Sequence, residues 1–254
     1  MTSLVNVSLD AGDQGRYLQY IDQLNKVRPN DPDITLGLAG SYLQNAYPVM
    51  AARVFRRFLS RWPDHPRAPE VRATLTGLEQ HLTGLLTEVG LPANEDVAAL
   101  HEEMQIWMNQ SDYAGVRRIG ENLLRAYPNF LPALNNISLA CMAEGDHARA
   151  ISTAQKVLDI APDNFHALSN LVRFMRITGQ IDEAQRYADR LQAITQDVYD
   201  AWVKKLEAFS FLGDYDRVMT TFAAASKSDS FREPARHNPL VFHLAAVATC
   251  QKGN

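Results

Sequence analysis

The 254-residue chain holds few reactive side chains at the spacings that catalysis needs. His101-Glu102-Glu103-Met104-Gln105 opens like a zinc-protease helix, then has Gln105 where the second histidine should stand. Gly37-Leu38-Ala39-Gly40 lacks the spacing and the lysine of a phosphate loop, and no Gly-x-Ser-x-Gly elbow occurs. The two cysteines, Cys141 and Cys250, are too few for a disulfide scaffold or a cysteine-rich zinc site. No catalytic residue, metal or cofactor is therefore expected. What remains is chemistry suited to recognition. Asn136 and Asn170 stand 34 residues apart, and each amide both donates and accepts. His166, Arg173, Arg176 and Lys204 are basic groups that suit carboxylates through charge-assisted hydrogen bonds.

The bulk composition narrows the classes further. With 46% hydrophobic residues and 9% aromatics, the chain is not of the disordered type. Its length allows a packed core without disulfides or metals. A net charge of -4 is not the basic balance of a typical nucleic-acid binder. Arg53, Arg56, Arg57 and Arg61 form one basic stripe at helical spacing, which reads as a solvated face. Met1–Asn6 carries neither positive charge nor an apolar run. Leu240–Cys250, the most apolar stretch, falls short of the about 18 residues a spanning helix needs. The expectation is a cytoplasmic protein with no nucleic-acid or membrane partner.

Positioning falls to a repeat. Gly145, Gly179 and Gly213 recur every 34 residues, each before a polar residue and a helical run. Pro29, Pro63, Pro128 and Pro162 each end an apolar helical run, at intervals of 34, 65 and 34. Within 131–164, Leu134, Ile137, Ser138 and Cys141 make the stripe of one amphipathic helix, and Ala150, Ala154, Val157 and Leu158 that of a second. The glycine supplies the turn between them, and the proline stops the second.

These residues resemble the tetratricopeptide repeat, a 34-residue helix–turn–helix, in a multi-repeat protein or fragment of bacterial type. Counting units from 97, 131, 165 and 199, position 8 holds Met104, Ser138, Val172 and Leu206. Position 20 holds Val116, Ala150, Ala184 and Val218, and position 24 holds Gly120, Ala154, Ala188 and Phe222. Small residues at positions 8 and 20, as in Ser138, Ala150 and Ala184, matter because helices approach closely only where side chains are short. Units 97–130 and 199–232 depart from the pattern at position 7, with Glu103 and Lys205, and at position 8, with Met104 and Leu206, and more open packing is expected there. The resemblance implies an all-α fold, a right-handed superhelical solenoid of antiparallel helix pairs.

It also implies that positions 2, 5, 6, 9, 12 and 13 of each first helix face a concave groove. Carried onto this chain, the partner-binding candidates are His101, Gln105, Asn135, Asn136, His166, Asn170, Arg173, Arg176, Lys204 and Glu207. Asn136 and Asn170 share position 6 and would hold the backbone of an extended peptide; the plainer alternative is two neutral surface amides. Arg173, Arg176, Lys204 and His166 would select acidic character, unless Asp200 and Glu207 neutralise them internally. Chaperone-binding members carry a Lys-Asn-Asn-Lys-Arg set. Its positions here read His101, Gln105, Asn136, His166 and Asn170, or, one unit on, Asn135, Leu139, Asn170, Asp200 and Lys204. Neither matches, so chaperone C-termini are not expected partners.

The expected layout is tetratricopeptide-like helices over 1–65, a degenerate unit or long spacer helix over 66–96, four units over 97–232, and a terminal helix over 233–254. Pro69 should open the long helix, and Gly90-Leu91-Pro92 should end it. Ser226–Asn238 reads as a polar insertion. The pattern breaks off within a unit at Gly253-Asn254, which favours a chain cut from a longer one. The functional expectation is a scaffold or adaptor whose groove holds a protein or peptide segment. The alternatives are the substrate-recruiting repeats of a larger enzyme, such as a glycosyltransferase, and a self-assembling solenoid that dimerises through its C-terminal helix.

Overall fold

A computed structural model describes residues 14–88 and 94–252. Helices and turns account for nearly all of them, and no strand occurs among the described residues. Two compact units divide between Gln110 and Ser111.

The first unit contains α1 (Gln14–Val27), α2 (Pro32–Gln44), α3 (Pro48–Arg61), α4 (Ala68–Glu88) and α5 (Glu95–Asn109). Proline opens both α2 and α3, where a missing N–H costs nothing. Asp31 caps α2 by accepting from Asp33 N at 3.0 Å and Ile34 N at 3.2 Å. Ala39, Ala51 and Ala52 have no exposed surface, so α2 and α3 approach closely at their small residues. A Cβ on Gly37 would meet Ile21 and Tyr17 at 3.4 Å, which marks the close approach of α1 to α2. The long helix expected between the repeats forms as α4, from Ala68 to Glu88. Its expected stop, Gly90-Leu91-Pro92, lies outside the described residues.

The second unit runs α6 (Tyr113–Ala126), α7 (Leu131–Ala143), α8 (His147–Ile160), α9 (Phe165–Ile177), α10 (Ile181–Gln192), α11 (Tyr199–Leu212), α12 (Tyr215–Ala225), α13 (Asp229–Ala235) and α14 (Pro239–Lys252). Helices α7 and α8, α9 and α10, and α11 and α12 are paired across tight turns, and α9 packs in turn on α11. Gly145, Gly179 and Gly213 take φ of +84°, +79° and +80°. Each turn closes the same way. Asp146 N donates to Cys141 O at 2.9 Å, Gln180 N to Met175 O at 2.8 Å, and Asp214 N to Phe209 O at 2.9 Å. Asp146 and Asp214 then cap the next helix, accepting from Arg149 N and Arg217 N. The core is the repeated stripe. Cys141, Ala150, Ala154, Val172, Ala184, Ala188, Leu206 and Val218 are completely buried.

Three features differ from the sequence reading. Ala46 and Ser111 take the left-handed turn, at φ +60° and +58°, where the other turns use glycine. Ser226–Asn238 is not simply a polar insertion, because it forms α13 and buries Phe231 and Ala235 at 2% exposure each. Phe231 packs on Tyr199 and Phe222, with ring centroids 5.8 and 6.2 Å away. A single aromatic in a polar stretch leaves no periodic signal. Packing is not open at position 7 of the last unit, where Lys205 is only 4% exposed. Gly253-Asn254 lie outside the described residues.

Candidate partner-binding groove

In the second unit α9, α11 and α14 together wall a cavity of about 480 Å³ lined by Arg173, Glu207, Ser210, Phe211 and Leu244. Two of the candidate residues, Arg173 and Glu207, therefore meet at one site. The register explains it. Arg173 and Glu207 are one repeat apart, and so are Ile177 and Phe211, both large apolar residues left exposed at 49% and 44%. The Arg173 guanidinium sits 5.7 Å from the centroid of the Phe211 ring. Lys204 Nζ donates to Glu207 Oε2 at 2.7 Å, so the wall carboxylate already has its cation. No carboxylate among the described residues pairs with Arg173 or Arg176. Arg176 is exposed.

The remaining candidates are spread along the same helices. Asn136 is half-buried on α7 and Asn170 is 5% exposed on α9. Asn135 is turned to structural work: its Nδ2 donates to Asn164 Oδ1 at 3.4 Å, while Asn164 caps α9 by accepting from Ala167 N at 2.9 Å. Its own Oδ1 is buried without a partner. His166 stacks against Phe165, with centroids 4.4 Å apart. Burial and the neighbouring Lys204 hold its imidazole below its ordinary value, while Asp200 and Glu207 pull the other way. His101 and Gln105 are half-buried on α5 of the first unit. Burial also holds the His101 imidazole low.

Several functional-looking residues turn out to build the fold. Glu102 is 7% exposed and accepts from Val49 N at 2.9 Å and Met50 N at 2.8 Å. It satisfies the first amides of α3, whose own N-cap residue, Tyr47, offers no side-chain bond. Burial pushes its carboxyl up to about 7, against the two amides and Arg53. Lys205 donates from Nζ to Ile194 O at 2.5 Å, at the end of α10, and lies 5.2 Å from the Trp202 ring centroid. Asp197 accepts from Trp202 Nε1, Ser228 Oγ and Ser230 Oγ at 2.6–2.7 Å. The basic stripe on α3 is largely consumed: Arg53 pairs with Glu95 and Asp96, and Arg56 with Glu79 and Glu95. Sequence spacing gives no sign of these long-range pairs. Cys141 is buried and its thiol pushed up by that burial, while Cys250 is exposed. Among the described residues no cluster of three His, Cys, Asp or Glu is arranged for a metal. No described helix is long and apolar enough to cross a membrane.

The family model of the tetratricopeptide repeat matches residues 142–209, which include α8, α9, α10 and most of α11. A thermophilic tetratricopeptide protein of Thermus thermophilus is 14% identical, with 87% of this chain and 100% of that one covered, at a TM-score of 0.52. A tetratricopeptide repeat protein from Parabacteroides merdae is 10% identical over 96% of each chain, at a TM-score of 0.48. No curated protein matches the sequence. Residues 142–209 thus match the tetratricopeptide repeat, and the fold resembles the all-helical solenoid of such proteins.

Proposed function

We propose that the helix pairs of 131–232 bind a segment of a partner protein along the face formed by α7, α9 and α11, and that the segment is acidic. The observation that carries this reading is Arg173, a half-buried guanidinium on a cavity wall with no carboxylate partner among the described residues. Unpaired cations in a partly dry site favour an incoming carboxylate more than exposed ones do. Arg176, exposed one turn further along α9, adds to the same character. Lys204 contributes less, because Glu207 already engages it. Asn136 and Asn170 offer amides to the segment's backbone. Ordering a loose segment while burying it gives a modest, micromolar-type affinity.

The test is affinity capture from the native cell extract with wild-type bait beside a variant carrying Asn136→Ala, Asn170→Ala, Arg173→Ala and Arg176→Ala. A partner held by the first and lost by the second supports the groove. Equal capture by both removes the binding surface to another face.

A further inference from the structure

We propose that the cavity walled by Arg173, Phe211 and Leu244 is a subsite for a bulky apolar side chain standing directly beside an aspartate or glutamate in the bound segment. This deepens the groove reading and rests on it. Phe211 leaves 44% of its surface in water and, unlike its equally exposed repeat counterpart Ile177, forms part of the cavity wall. With Leu244 opposite, it offers apolar surface that only an apolar group would cover favourably. The cavity, about 480 Å³ and open on one side to solvent, leaves room for a large side chain to lie against the wall.

The polar side of the cavity is equally selective. The Arg173 guanidinium lies 5.7 Å from the Phe211 ring centroid, and ring contact leaves the N–H groups of a guanidinium able to meet an acceptor. Glu207 would repel a carboxylate, but Lys204 holds it at 2.7 Å. The remaining unbalanced charge on the wall is therefore positive, and it complements an acidic side chain. The chain as a whole carries -4, so an acidic segment gains nothing from long-range attraction. Recognition must come from this local pairing of ring and guanidinium, which calls for both groups next to each other in the ligand.

The experiment pans a phage-displayed library of random peptides against the full chain, as wild type, Phe211→Ala and Arg173→Gln. Circular dichroism verifies that each variant keeps its helices. Wild type should select an aromatic or long aliphatic residue adjacent to Asp or Glu. Phe211→Ala should keep the acid and lose the apolar preference, and Arg173→Gln the reverse. A selected peptide, synthesised with blocked ends, should bind each variant about tenfold more weakly than wild type. Binders without the paired residues, yet lost on the four-alanine groove variant, overturn the subsite while the groove survives. Binders indifferent to both sets of substitutions, or no binder to wild type, count against both readings.

Discussion

Lys205 stands where its repeat counterparts Leu171 and Ile137 are apolar, and the structure shows why a cation is tolerated there. The ammonium lies over the Trp202 ring and donates to the carbonyl of Ile194 after α10, so the buried charge is satisfied. Burial holds that ammonium below its ordinary value. Lys205→Ala removes both stem and donor and should cost about 2–3 kcal/mol in denaturant unfolding. Lys205→Met keeps the stem and should recover most of that loss. Glu102 poses the opposite case. Its folded value of about 7 lies above the ordinary 4.5, so the folded state binds the proton more tightly than the unfolded state does. The contribution to stability is then most favourable below the unfolded value and declines as pH rises through 7. Relative to Glu102→Gln, wild type should lose up to about 3 kcal/mol between pH 5 and pH 8. Unfolding curves that stay parallel across that range would refute it.

At the scale of elements, the turn between paired helices is the most regular device in the chain, and it is built with different residues. Gly179 takes φ +79° and an added Cβ would meet nothing within 4 Å. Gly179→Ala should therefore cost about 1 kcal/mol from backbone strain alone. Ala46 already carries that strain at φ +60°, so Ala46→Gly should raise stability, by a smaller amount because the unfolded chain gains freedom. Thermal unfolding of the two variants moving in the same direction would contradict this account. The contrast also shows what the sequence could convey. The glycine turns, the buried alanines and the proline stops are local, so their spacing announced helix pairs in the stretch of α7 to α12. Ala46 and Ser111 make the same turn without a glycine to mark it. Helix α13 rests on one buried phenylalanine, and Glu102 reaches α3 across about half a hundred residues of chain. The candidate site was legible in its helices and in Arg173. Its cavity was not, because that depends on α14 folding back beside α11 and on Lys204 choosing Glu207.

For the molecule as a whole, a net charge of -4 sets the condition under which an acidic segment must bind. Long-range repulsion and local attraction are both screened by salt, but the local pairing is partly buried and less so. His166 connects this balance to pH. It lies on α9 facing the charges of α11: Lys204 disfavours its protonation, whereas Asp200 and Glu207 favour it. Burial, the largest influence, holds its imidazole below the ordinary value in the free protein. An acidic segment laid beside it would favour the charged form, so binding would take up a proton. By linkage, affinity should rise as pH falls from 7.5 toward 5.5, before the ligand's own carboxylates begin to protonate. His166→Gln should flatten that rise and leave the affinity at pH 7.5 nearly unchanged. Isothermal titration in two buffers of different ionisation heat would count the proton directly. Zero uptake would place the acidic segment away from His166, on the Arg173 and Arg176 end of α9 alone.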